Sequence, residues 1–306
     1  MLKLVEINKK LNHIENSKIE IDLNNCTKCK ACMEDCVVEL FYFESDCLQI
    51  VDDFENSCIE CGHCAAVCPV NVIRLKFQKD VILKDKLLKE ALPSFETFQN
   101  LTLTRRSIRN FKDKSIPREL LKKLLDLARY SPTGSNSGNV YYTVIQDKNI
   151  VATISEHITK KNIRFVETME DAKGRAFLKE KMPEAEYKKA LENLPDTKRI
   201  LKGIERGIDF WCWNGELLFI HGDKEIGSVP ENCSLAAAHI MLAAETLGLG
   251  TCSLGYLTYY TNESETIKKL INLPKSHVVG YTLTMGYPKV NYLRIPPRHP
   301  AKVIWM

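Results

Sequence analysis

The sequence predicts two globular domains that contain both helices and strands, and three observations support this architecture. The chain has 306 residues, 44% hydrophobic and 27% charged, enough for about two ordinary domains. Nine of the 12 cysteines precede residue 70. Residues 1–80 carry nine basic and fourteen acidic side chains, so the positive net charge lies in the rest of the chain. We place the boundary near residue 85, in a charged stretch that ends at Pro93.

Composition also excludes several classes of protein. The segment MLKLVEINKK places lysines where a secretion signal needs apolar residues, and no segment reaches the roughly 18 uncharged apolar residues of a membrane span. We therefore expect a cytoplasmic protein with no membrane partner. The positive charge of the second module is modest, which argues against a nucleic-acid partner. Since a reducing compartment seldom uses so many cysteines for disulfides, metal binding is their expected role.

The first module contains the spacing C-x2-C-x2-C-x3-C twice. The two runs are Cys26, Cys29, Cys32, Cys36 and Cys58, Cys61, Cys64, Cys68. This spacing is typical of two 4Fe-4S clusters, in which the fourth cysteine of each run ligates the other cluster. We therefore predict one cluster on Cys26, Cys29, Cys32 and Cys68, and a second on Cys58, Cys61, Cys64 and Cys36. The alternatives are a disulfide scaffold or zinc, although four-cysteine zinc sites normally consist of two separated C-x2-C pairs.

Residues 18–80 resemble the bacterial two-cluster ferredoxins, because all eight ligand positions are filled. The resemblance implies a small ferredoxin-like domain, which we assign to residues 1–85. Val37 departs from the family, where a proline often follows the fourth cysteine, but no ligand is lost. Cys47 lies outside both motifs in CLQIVDD, an alternating stretch typical of a hairpin strand, and we expect it to be a packed cysteine.

The second module begins with an arginine-rich segment, TRRSIRNF, ahead of a helix expected from Pro117 through ELLKKLLDLARY. Three arginines and a serine suit a phosphate or an anionic ring, although such a cluster alone is more often a solvated basic turn. The turn sequence SPTGSNSGN then leads into a strand candidate, VYYTVIQD. Farther on, NCSLAAAHIMLAAETLGLG predicts a buried helix that ends at Gly248 or Gly250, with His239 as a hydrogen-bonded core histidine.

These segments, followed by GYP and by arginines around PP near the end of the chain, resemble the nitroreductase family of FMN flavoproteins over residues 94–306. The resemblance implies an α+β fold, with a mostly antiparallel central sheet flanked by helices, for the domain we assign to residues 86–306. It also implies an intertwined homodimer with FMN at the subunit interface, and FMN N5 as the reacting centre without a catalytic side chain. The residues that match FMN-binding positions are Arg105, Arg106, Ser107, Arg109, Asn136, Gly250, Thr251, Arg294 and Arg298.

Some positions depart from that family. Gly138–Asn139 stand where Gln-Pro is frequent, and Ser253 stands where an aromatic residue often follows Thr-Cys. The stretch FWCWNGELLFIHG lacks the usual apolar residue and proline before its strand. Trp211, Trp213 and Asn214 are therefore candidates for shaping substrate access, although we expect the two tryptophans to pack in the core.

The combination predicts an oxidoreductase, because iron-sulfur clusters move single electrons whereas flavin can collect two. Electrons from an external donor such as ferredoxin or NAD(P)H would pass through the clusters to FMN. They would then reduce an electron-poor small molecule such as a nitroaromatic, a quinone or an activated alkene. The alternatives are a non-catalytic redox relay or sensor, or the same architecture performing reductive dehalogenation or NAD(P)H-dependent flavin reduction.

Overall fold

The computed structural model describes residues 13–77 and 91–306, which form two compact units. The chain passes from the first unit to the second between Leu92 and Pro93, and Ser135–Ser137 group with the first unit. The predicted boundary at residue 85 lies outside the described residues and stays a prediction. Across the described ranges, every helix is too short or too polar to cross a membrane.

Within residues 13–77, the first unit has two small antiparallel sheets and three short helices. Strands β1 (His13–Glu15), β2 (Ile19–Asp22) and β5 (Ile73–Leu75) form a sheet in the order β1-β2-β5. Strands β3 (Phe41–Glu44) and β4 (Cys47–Ile50) form a hairpin. Two helices, α1 (Ala31–Glu34) and α3 (His63–Ala66), lie within the two cysteine motifs, and α2 (Phe54–Ser57) precedes the second motif.

The core of this unit follows from the alternation of its strands. In β2, Ile19 and Ile21 are buried while their polar neighbours face outward, and Ile21 pairs with buried Ile73. The predicted hairpin is present, but the expectation that Cys47 is packed is wrong. Cys47 is exposed because the same alternation turns the next residue, Leu48, into the core.

The second unit is built on a four-stranded antiparallel sheet flanked by helices. The sheet order is β6-β7-β9-β8, with β6 at Tyr141–Ile145, β7 at Glu216–Asp223, β8 at Gly250–Ser253 and β9 at His277–Gly286. The helices are α4 (Phe95–Thr104), α5 (Arg118–Ala128), α6 (Lys148–Glu170), α7 (Ala172–Lys181), α8 (Glu184–Glu205), α9 (Val229–Thr246), α10 (Gly255–Asn262) and α11 (Glu265–Leu270). This arrangement confirms the predicted α+β class with an antiparallel central sheet.

The sheet is buried on both faces, which explains the continuous apolar run in β7. Leu218 and Ile220 pack in one core cluster with α9, while Leu217 and Phe219 pack in a second cluster with α6. The predicted helices after Pro117 and before Gly248 are present as α5 and α9.

His239 corrects one expectation about α9. The helix turns Ala236, Ala237 and Ile240 into the core, so His239 lies on the exposed face of the same helix. Its Nδ1 lies 2.8 Å from Ser131 Oγ and 3.0 Å from the Leu235 carbonyl oxygen. The histidine is therefore hydrogen-bonded, as expected, but it is not a core residue.

Candidate functional site

Two cavities in the first unit divide the eight motif cysteines into two groups of four. The first cavity contains about 320 Å³ of space between atoms, partly open to solvent, and its cysteines are Cys26, Cys29, Cys32 and Cys68. The second contains about 370 Å³, and its cysteines are Cys36, Cys58, Cys61 and Cys64. Each cavity therefore takes three cysteines from one motif and the fourth from the other. This is the grouping that the crossed ligand sets require.

The backbone conformation around the two cavities is duplicated, as the cysteine spacing is. Three pairs of equivalent positions have a left-handed backbone, with φ between 52° and 76°: Lys28 and Glu60, Lys30 and Gly62, Glu39 and Asn71. Residues that alternate between right- and left-handed conformations turn successive N–H groups toward one concave side, where they stabilise an anion. The duplicated loops can therefore donate hydrogen bonds to the sulfurs of a bound cluster.

The state and grouping of the cysteine side chains favour metal binding over disulfide formation. All twelve cysteines are free thiols. Burial raises the pKa of Cys32 to about 11 and that of Cys64 to about 12, so metal binding has to displace their protons. Within residues 13–77 and 91–306, no three Cys, His, Asp or Glu side chains converge on a position for one metal ion. A four-iron cubane needs its thiolates farther apart than one zinc ion, which binds sulfur at about 2.3 Å. Each cavity has four thiols around a space of about 320 or 370 Å³, so the residues present fit a cluster.

In the second unit, the arginine-rich segment joins the strand that follows α9. Ser107 and Thr251 form an isolated parallel bridge, in which the Ile108 N–H donates to the Thr251 carbonyl oxygen at 2.9 Å. A Cβ at Gly250 would lie 2.5 Å from Cγ1 of buried Ile108. Glycine is therefore required at position 250 for the close approach of these two segments. Their contact places Ser107, Gly250 and Thr251, three of the residues implied to bind FMN, side by side.

The arginines of this segment carry unpaired positive charge. No carboxylate of the described residues lies within 4.0 Å of Arg105, Arg106 or Arg109. The guanidinium of Arg106 donates to the carbonyl oxygens of Leu103 and Arg105. Three guanidinium groups beside a hydroxyl and without counterions are suited to a phosphate or an anionic ring. The donor set therefore fits FMN.

The thiol of Cys252, on β8, adjoins the same group. Burial raises the pKa of this thiol, while the charge of Arg109 and a hydrogen bond from Ser107 oppose the rise. The site thus has a cationic edge, formed by the arginines, next to a buried and protonated thiol.

The remaining predicted FMN residues lie in two other places, the C-terminal stretch and the segment that contains Asn136. Residues 287–289 pair with the end of the arginine segment, because Lys112 N–H donates to Tyr287 O at 2.8 Å and Lys289 N–H to Asn110 O at 2.9 Å. Arg294 and Arg298 follow on an exposed stretch. Asn136 is exposed, has φ 53°, and belongs to the short segment grouped with the first unit. In the described chain, no hydrogen bond joins Asn136, Arg294 or Arg298 to the arginine segment.

Both tryptophans contact the core cluster around α6, as expected, but to different extents. Trp211 is 3% exposed, and its Nε1–H donates to Thr159 Oγ1 at 2.9 Å. Trp213 is half-buried, and its ring centroid lies 5.7 Å from the guanidinium carbon of Arg109.

The sequence did not single out Asp209, whose carboxylate accepts hydrogen bonds from the backbone of the turn that contains Trp213. The sequence feature that could have identified it is an aspartate a few residues before Gly215, since aspartate side chains often accept hydrogen bonds from turn backbones.

Comparisons with known proteins assign both units. Residues 102–287 match the profile of the nitroreductase family, and residues 25–73 match that of the 4Fe-4S dicluster domain. A relative from Methanothermobacter thermautotrophicus, whose name refers to NADH dehydrogenase and NAD(P)H nitroreductase, is 25% identical over 190 residues. That alignment covers 61% of this chain and 75% of the relative. A protein of Thermotoga neapolitana named iodotyrosine deiodinase is 24% identical over 62% of this chain and 87% of its own length.

Solved structures agree on the fold. A nitroreductase from Desulfitobacterium hafniense with bound FMN has a TM-score of 0.50 at 19% identity, covering 68% of this chain and 97% of that protein. A BluB-like flavoprotein from Clostridium difficile has a TM-score of 0.51 at 20% identity, covering 67% of this chain and 98% of the other. The family profile spans more than half of the chain. The chain therefore belongs to the nitroreductase family of FMN-dependent oxidoreductases and carries a 4Fe-4S dicluster domain before the nitroreductase domain.

Proposed function

We propose that this protein passes electrons from two 4Fe-4S clusters to FMN and then to an electron-poor organic acceptor such as a nitroaromatic, a quinone or an activated alkene. The observation that carries the proposal is the presence, in one chain, of two four-cysteine cavities and an arginine segment free of counterions. Clusters exchange one electron at a time, and bound FMN supplies two-electron chemistry. An external donor such as a ferredoxin or NAD(P)H would supply the electrons.

The clusters are assigned to the crossed cysteine sets. Cys26, Cys29, Cys32 and Cys68 would hold one, and Cys58, Cys61, Cys64 and Cys36 the other. The grouping of these thiols around two cavities supports the assignment. Thiolate ligands have to stay reduced, so we also propose a cytoplasmic location.

The FMN site is assigned to the arginine segment and the residues that it contacts. Arg105, Arg106 and Ser107 would bind the phosphate and the ribityl chain, while Arg109 would lie at the pyrimidine side of the ring. Gly250 and Thr251 would lie beside the ring because the backbone bridge to Ser107 brings them there. Asn136, Arg294 and Arg298 complete the proposed set.

A homodimer would bring the C-terminal stretch into this set. Leu293, Ile304 and Trp305 are 81%, 90% and 90% exposed, and such side chains are seldom left in water. We propose that a second copy of the chain covers them. Removal of residues 290–306 should then yield a monomer with weakened FMN binding, as measured by sedimentation velocity and flavin titration. A truncated protein that remains a dimer would contradict this assignment.

Reductive dehalogenation is a second candidate reaction. Its support is the similarity to the Thermotoga protein named iodotyrosine deiodinase. Anaerobic assays of the reduced protein with a nitroaromatic and with an iodinated phenol, side by side, discriminate between the two reactions.

The test of electron transfer through the clusters is the variant Cys58→Ala. This change removes one ligand of the second cluster and leaves the arginine segment intact. Turnover driven by a ferredoxin-type donor should be lost, whereas flavin reduced directly by a chemical reductant should still reduce the acceptor at near wild-type rate. Cys47→Ala is the matched control, because Cys47 is exposed and lines neither cavity. Unchanged donor-driven turnover in Cys58→Ala would mean that electrons bypass the clusters. If the protein is instead a relay or sensor, the wild type should show no turnover of the acceptor.

A further inference from the structure

Trp213 lies in a turn between α8 and β7 that has an unfavourable backbone conformation. Its φ is 56° and that of Asn214 is 52°, both in the left-handed region that residues with a Cβ rarely adopt. Two consecutive residues of this kind persist only where other contacts hold them, and such conformations concentrate at functional sites. The turn therefore has to be stabilised by its surroundings.

Asp209 provides that stabilisation. Its Oδ1 accepts hydrogen bonds from Ser155 Oγ at 2.7 Å and from the Cys212 N–H at 3.2 Å, and its Oδ2 accepts one from the Asn214 N–H at 2.9 Å. The Trp213 N–H donates to the Asp209 carbonyl oxygen at 2.8 Å. One carboxylate thus fixes the turn on both sides of Trp213.

The turn is also fastened to the central sheet. Thr284 Oγ1, on β9, donates to the Cys212 carbonyl oxygen at 2.8 Å. A Cβ at Gly215 would lie 2.1 Å from the same Thr284 oxygen, so the turn has no room to shift toward β9. These contacts place the indole of Trp213 at a fixed position beside Phe210, at 5.3 Å between ring centroids.

The residue on which this indole acts is Arg109. The guanidinium carbon lies 5.7 Å from the centroid of the Trp213 ring, within the range of a cation–π contact. Of the three arginines in the segment, Arg109 alone makes such a contact among the described residues. The backbone on either side is anchored through Ile108 and Asn110, and the exposed Arg109 side chain also hydrogen-bonds to the Cys252 thiol. Without Trp213, that side chain would lose one of the two contacts that limit its choice of rotamers.

We propose that Trp213 is a positioning residue that holds the Arg109 guanidinium at the pyrimidine edge of bound FMN. The proposal rests on the proposed function, which places FMN against the arginine segment. Two-electron-reduced flavin carries negative charge along its N1–C2 edge, so a cation held there binds reduced flavin more tightly than oxidised flavin. An arginine held less firmly at that edge loses part of this preference.

The experiment measures the midpoint potential of bound flavin in the anaerobic holoprotein by optical redox titration. Trp213→Leu should reduce the preference for reduced flavin about two- to fivefold, the magnitude of an exposed cation–π contact. For a two-electron couple this lowers the potential by about 10 to 20 mV. Trp213→Phe retains an aromatic face and should keep most of the wild-type potential. Trp211→Phe is the matched control, because Trp211 is buried and bonds to Thr159 instead of Arg109.

Arg109→Ala and the double variant complete the design. Arg109→Ala should lower the potential further, and adding Trp213→Leu to it should change nothing more, because the indole acts through the arginine. The positioning role alone would be overturned if the potential shifts of the two single variants added up in the double variant. It would also be overturned if Arg109→Ala lowered the potential and Trp213→Leu left it unchanged. An unchanged potential in Arg109→Ala would instead refute the proposed placement of FMN and the positioning role with it.

Discussion

Acidification should destabilise the second unit through one buried histidine, His221 on β7. Its side chain is enclosed between two partners, because Nε2 lies 3.1 Å from Thr143 Oγ1 and Nδ1 lies 2.8 Å from His277 Nδ1. The residue is 4% exposed, and Tyr141 stacks on it at 6.0 Å between ring centroids. Burial, with a smaller contribution from His277, lowers the pKa of His221 from 6.5 to about 4.

The magnitude follows from that shift. The folded protein holds His221 neutral, so its contribution to stability is present above the unfolded pKa and is lost as pH falls from 6.5 toward 4. One pKa unit corresponds to 1.36 kcal/mol, which gives a loss of about 2 kcal/mol between pH 7 and pH 5 and about 3 kcal/mol in all. The free energy of unfolding should therefore fall by about this amount in addition to the contributions of other groups.

The assay compares wild type with His221→Gln, which can still bond to Thr143 but cannot gain a proton. Guanidinium unfolding of the anaerobic holoprotein, followed by tryptophan fluorescence at pH 7 and pH 5, gives the change in each protein. Contributions of other groups cancel in the difference between the two proteins. His239→Gln, on the exposed face of α9, is the control and should behave as wild type. An equal loss of stability in wild type and His221→Gln would refute the assignment of a neutral, buried His221.

Three further predictions concern the cofactors. Anaerobically purified protein should contain about eight iron and eight sulfide per chain by chemical analysis, since each cubane has four of each; bound zinc without sulfide would exclude the cluster assignment. Cys36→Ala and Cys58→Ala should abolish the same paramagnetic resonance signal, and Cys68→Ala and Cys26→Ala the other; losses that pair within one motif would show uncrossed ligand sets. Arg105→Ala and Arg294→Ala should each weaken FMN binding by about 1 to 3 kcal/mol in flavin titrations while iron content is unchanged, and unaltered affinity in both would refute the assignment of the FMN residues.

The sequence by itself determined features that depend on neighbours along the chain. Cysteines at three-residue intervals lie close together in a loop, so the spacing predicted that the first three thiols of each motif would share one cavity. Leucines at helical spacing after Pro117 predicted α5, and the glycine after the α9 run marked the end of that helix. The order of short motifs in the second module was sufficient to predict the nitroreductase family, which the profile match confirms.

Tertiary structure decided which face of each element is buried. A hairpin strand and a helix were expected around Cys47 and His239, but both side chains point outward. An alternating or helical pattern shows which residues share a face of the element, but the elements that pack against it determine which face is buried. Likewise, the bridge from Ser107 to Thr251 and the contact of Trp213 with Arg109 join residues far apart in the chain. No local propensity specifies such contacts, because they form only when the central sheet brings those segments together.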